Sequence, residues 1–136
     1  MLIPRPDRLA KATALVTEIY QSTRGFPREE VFGLTSQLRR SAVSLASNIA
    51  EGQGRLSKGE FRQFLGQARG SLIEMEAQLV IAGNLGFLTS SRLVALMDRT
   101  GEASRLRHGL TKSLQPSEST SRTGNQKLET RNRPEC

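Results

Sequence analysis

Seven residues between Phe61 and Ala82 constrain the fold more than any others. Phe61, Leu65, Ala68, Leu72, Met75, Leu79 and Ala82 follow one another at spacings of 4, 3, 4, 3, 4 and 3. A strand presents every second residue to one face, so these positions cannot line one side of a sheet. On a helix they draw an apolar seam about six turns long, the kind that packs against neighbouring helices. The entry to this helix is also written in the chain. Ser57-Lys58-Gly59-Glu60 fits a capping box, in which Ser57 accepts from the Glu60 amide and Glu60 reaches back to the Ser57 amide. Asn84 and Gly86 end it.

Three further segments carry helical periodicity. Residues 6–23 place Leu9, Ala12, Val16 and Ile19 on one face and stop before Gly25 and Pro27. A segment from Leu34 to Glu51 carries Leu38, Ala42, Leu45 and Ile49, with Gly52 and Gly54 read as its stop. The last, from Ser90 to Leu114, carries Leu93, Met97, Ala103, Leu106 and Leu110. Aromatic residues make up 4% of the chain and Trp is absent, so the core is aliphatic, which suits packed helices. Four helices on short connections predict an all-α, antiparallel up-down-up-down four-helix bundle over residues 1–114. Residues 115–136 are polar and nearly without apolar side chains, and are expected to form a disordered tail.

The formal net charge is +7, of which +6 falls within residues 1–114 as 16 Lys and Arg against 10 Asp and Glu. A basic excess in the folded part favours a polyanionic partner such as RNA. Lys58, Arg62 and Arg69 share one side of the third helix and Arg55 lies just before it, giving four candidate phosphate contacts near free helix N-terminal amides. Without an aromatic side chain to stack bases, recognition there would rest on backbone charge and shape.

The second and third helices carry another set of residues. Arg40, Ser44, Ser47, Asn48 and Glu51 share an arc of the second helix, and Gln63, Gln67, Ser71, Glu74 and Gln78 share one on the third. Arg39, Val43, Ala46 and Ala50 form a lean strip between. Such small and polar positions suit either a solvated face or a close subunit contact, and Gly66 and Gly70 add a G-x-x-x-G spacing.

The chain lacks the constellations of known chemistry. GQGRLSKGE does not end in the Gly-Lys-Ser/Thr of a phosphate loop. A di-iron bundle requires paired Glu-x-x-His motifs, whereas His108 is the only histidine and Arg105 stands where the glutamate would be. Cys136 is the only cysteine, so no internal disulfide or multi-cysteine metal site forms, which suits a reducing compartment. Glu51 and Glu74 have no nucleophile or metal beside them. No enzyme activity, cofactor, metal or small-molecule substrate is expected. No secretory h-region or membrane-length apolar run is present, and the expected location is cytoplasmic.

The run FGLTSQLRRSAVSLASNIAEGQGRLSKGEFRQFLGQARGSLIEMEAQLVIAGNLGFL, residues 32–88, closely resembles the bacterial four-helix-bundle proteins of the 23S rRNA intervening-sequence family. The resemblance rests on LTSQ with Arg39-Arg40, on Ser47-Asn48-Ile49-Ala50-Glu51-Gly52, on Gly54-Arg55, and on Ser57, Glu60-Phe61, Phe64-Leu65, Gly70-Ser71-Leu72, Glu74 and Gln78-Leu79. It extends over about residues 9–110. The family commonly has proline at the position of Ala46, and its usual aromatic-rich start is replaced here by MLIPRPDRLAKA. The resemblance implies a four-helix bundle, a ring-shaped homopentamer and a biochemical role in which nucleic-acid binding is suspected. It singles out Arg39, Arg40, Ser47, Asn48, Glu51, Gly52, Ser71, Glu74 and Gln78 as a signature polar face for subunit or internal contacts. The expectation is thus a non-enzymatic homo-oligomer that binds RNA or a nucleoprotein. The alternative is an adaptor whose partner is another protein.

Overall fold

The computed structural model describes residues 6–54 and 57–114. Four helices follow in order: α1 over Pro6–Thr23, α2 over Leu34–Gln53, α3 over Lys58–Asn84 and α4 over Ser90–Ser113. A 3-10 turn at Arg28–Glu30 precedes α2. Each helix packs on its sequence neighbour, and α4 closes back onto α1. The result is the antiparallel up-down bundle that the short connections require. The tail expected to be disordered lies outside the described residues.

The ends of the helices are set by local chemistry. The Ser57 hydroxyl accepts from the Glu60 amide at 3.0 Å, so the expected cap of α3 forms. Glu30 supplies the cap that Gly33 cannot, its carboxylate accepting from the Leu34 amide at 2.9 Å at the positive end of α2. Thr89 caps α4 by accepting from the Arg92 amide at 3.1 Å. At the end of α3, Gly86 adopts a φ of +79°. Its amide donates to the Gly83 carbonyl and the Phe87 amide to the Ala82 carbonyl, the two bonds of a Schellman turn.

The core is mainly aliphatic. Leu38, Ala42, Leu45 and Ile49 of α2 are completely buried, as are Leu65, Ala68, Met75, Leu79 and Ala82 of α3. Phe61, the first residue of the α3 seam, is only half-buried. In α1 the buried apolar residues among those described are Ala12, Leu15 and Ile19, while Leu9 and Val16 reach only intermediate burial. The buried face of α4 runs through Leu96, Thr100, Ala103, Arg107 and Leu110, not through Leu93, Met97 and Leu106, which are half-buried beside it. Phe26 and Phe87 join the two loops at one end of the bundle, their rings 5.4 Å apart and tilted.

One detail of α2 departs from expectation. The helix continues through Gly52 to Gln53, so Gly52 is not a stop. It is buried against α3, where an added Cβ would lie 2.5 Å from Cδ1 of Phe61 and 3.3 Å from Cβ of Phe64. Among the described glycines of α2 and α3, it is the one whose added Cβ would clash across the α2–α3 contact. At Ala46, where the family commonly has proline, the helix is uninterrupted.

Candidate functional site

The antiparallel arrangement puts the N-terminus of α3 and the C-terminus of α4 at one end of the bundle. Lys58, Arg62 and Arg69 are all exposed on α3. Spacings of four and seven keep them on one face. Arg62 reaches across to α4, its Nη1 donating to the Leu114 carbonyl at 3.4 Å, a contact suited to the negative end of a helix. Arg105, Arg107 and Lys112 enter the same end from α4. Residues 57–73 and 103–114 hold these six cations and a single acidic residue, Glu60. Arg55 lies outside the described residues. Phe61 and Phe64 are half-buried beside Gly52 and do not form an open stacking platform.

The signature residues divide into two groups. Asn48, Ser71 and Gln78 work inside the chain. Ser71 Oγ donates to Ser44 Oγ at 2.8 Å, and Asn48 Nδ2 donates to the Ser44 carbonyl at 2.8 Å and to Ser44 Oγ at 3.2 Å. Ser41 Oγ donates to Gln78 Oε1 at 3.0 Å. These bonds form a polar ladder between α2 and α3, alongside the Leu and Ala seam. Hydroxyls short enough to let the helices approach are also satisfied where they are buried. Gly52 belongs to the same internal contact.

Arg40, Ser47, Glu51 and Glu74 are exposed. Arg39 is half-buried and ties α2 to α1: its Nε donates to Thr23 Oγ1 at 2.9 Å, and its guanidinium lies 4.6 Å from the centre of the Tyr20 ring. Beside this stack runs an open groove of about 520 Å³, lined by Tyr20, Val31, Thr35, Arg39, Arg40 and Val43. Phe32, 94% exposed, lines a neighbouring depression that shares Ser36 and Arg40 with this groove. A phenylalanine beside a helix start reads as core in the sequence, whereas this one is open to solvent. Gly66 and Gly70 lie on the outer face of α3 with nothing within 4 Å of an added Cβ.

A model of the 23S rRNA-intervening sequence protein family matches residues 7–109. The chain belongs to this family. Among solved structures, the bundle resembles a crystal structure from Bacteroides thetaiotaomicron VPI-5482, described as a protein with unknown function from the S23 ribosomal protein family. The TM-score is 0.70 at 20% identity, over 77% of this chain and 98% of the other. At that identity the likeness concerns the fold. No curated protein matches the chain. In this member of the 23S rRNA-intervening sequence family, no described helix is long and apolar enough to cross a membrane. Among the described residues, no group of three His, Cys, Asp or Glu side chains is placed to hold a metal ion.

Proposed function

We propose that the chain is a non-enzymatic, self-associating bundle that binds RNA, or a nucleoprotein, through the basic end shared by α3 and α4. The observation that carries this reading is the six-to-one excess of cations over carboxylates in residues 57–73 and 103–114, drawn from two antiparallel helices. A surface of this kind attracts a phosphate backbone by counter-ion release, without reading bases. The decisive measurement is the affinity for a structured RNA at several salt concentrations. Binding should weaken steeply between about 50 and 200 mM salt, and an affinity flat over that range overturns the reading.

Self-association is supported by the opposite end. Phe32 is left 94% exposed in the single chain, and Tyr20, Val31 and Val43 are exposed along the adjoining groove. The resemblance to ring-forming relatives makes five copies the expected number, and light scattering on the pure protein at micromolar concentration tests it; a monomer overturns it. The second reading, an adaptor for a different protein, rests on this same surface. It is favoured if the pure protein is monomeric and binds no RNA.

A further inference from the structure

Arg107 occupies a core position. The buried face of α4 steps through residues 96, 100, 103, 107 and 110, filled by Leu, Thr, Ala, Arg and Leu. The two polar members are treated differently. Thr100 Oγ1 donates to the Leu96 carbonyl at 2.8 Å and is satisfied. Arg107 is 9% exposed, and its Nε is sealed from solvent without a hydrogen-bond partner. Its Nη1 donates to Thr111 Oγ1 at 3.2 Å, and that hydroxyl in turn donates to the Arg107 carbonyl at 3.0 Å. Among the described residues, Nη2 has no partner and no carboxylate pairs with the guanidinium.

The neighbour across the seam is another cation. Arg62 meets Leu114, and Gly83 meets Leu93, so residues whose numbers sum to 176 face each other along α3 and α4. Position 69 therefore stands opposite position 107. Burial first, and the Arg69 charge second, push the Arg107 guanidinium below its ordinary pKa. A methionine or leucine would fill the seam without this conflict. Burying a charge with no counter-ion is among the costliest choices for a core position, and here it is combined with like-charge repulsion.

We propose that Arg69 and Arg107 together bind a phosphate group, held as a tetrahedral oxyanion bridging the two guanidiniums across the α3–α4 seam. The unpartnered Nη2 of Arg107 and the exposed fork of Arg69 supply several donors, a geometry that matches phosphate oxygens. The anion removes the repulsion and gives the buried charge its counter-ion. This rests on the basic end being an anion surface, as proposed above, but not on the phosphate belonging to RNA. A free phosphate and a phosphodiester present the same oxygens.

The test uses the full chain and inorganic phosphate, with sodium chloride adjusted to hold ionic strength constant. Phosphate should raise the melting temperature saturably beyond chloride, as a ligand specific to the folded state does. Arg69→Gln, a change at an exposed position, should weaken the phosphate affinity about tenfold. Arg107→Met should abolish the excess while melting in chloride at least as high as the parent, so lost folding cannot explain the result. No excess over chloride, or an equal excess in both variants, overturns the proposal. A structured RNA distinguishes the sources. RNA binding without a phosphate effect overturns the Arg69–Arg107 site and leaves the proposed function standing. A phosphate effect without RNA binding supports the site and overturns the RNA reading.

Discussion

The ring of Phe61 lies where the side chain of any residue but glycine at position 52 would have to go, 2.5 Å from an ideal Cβ. Gly52→Ala should therefore destabilise the bundle, although alanine is the better helix former by about 1 kcal/mol. Overpacking costs about 1–3 kcal/mol and outweighs that gain, so a net loss of about 1 kcal/mol is expected in urea unfolding. Adding Phe61→Leu should recover part of it. At Gly66 and Gly70, where the added Cβ meets open space, alanine should raise stability by up to about 1 kcal/mol each.

The Ser71–Ser44 bond makes a second test. Ser44→Ala and Ser71→Ala should each cost about 1 kcal/mol, and the double variant should cost less than their sum, because both remove the same 2.8 Å contact. A strictly additive double-mutant cycle by chemical denaturation would separate the two hydroxyls energetically.

Phe32→Ser should shift the protein toward monomer without lowering the stability of the single chain, because the side chain is 94% exposed there. Leaving one buried aromatic out of a contact is worth about 2 kcal/mol, which weakens association about thirtyfold. Sedimentation across a concentration series reads the change; an unaltered mass distribution would remove Phe32 from the contact.

Lys58→Gln and Arg62→Gln should weaken RNA binding to a similar degree for unrelated sequences. Each should also make the slope of log affinity against log salt shallower by about one. A loss confined to one RNA sequence would indicate base readout in place of backbone charge.

What the sequence made legible follows the regularity of each helix. The α3 seam repeats without a polar member before position 84, and all of it but half-buried Phe61 is buried. On α4 the eye follows Leu93, Met97 and Leu106, but the face that turns inward holds Thr100 and Arg107. Their polarity hid the 4-3-4-3 rhythm. On α1, Leu15 and Val16 both suit the helical spacing, and the fold buries Leu15. Gly52 looked like punctuation because a close approach depends on Phe61, a partner in another helix. Lys58, Arg62 and Arg69 were visible as a stripe since they share one helix. Arg107 was not, because it joins them only through the antiparallel register of α3 and α4.

That register also makes the molecule electrically lopsided. Helices α3 and α4 bring their cations to one end, while Phe32 stands at the other, where α2 begins. In any closed assembly whose symmetry axis runs along the helices, every subunit turns the same end toward the same side. One rim then collects all the basic ends into a continuous crown. A polyanion long enough to touch several subunits is held with an avidity that no single subunit has. On such a surface the reach of the RNA, more than its sequence, sets how tightly it is held.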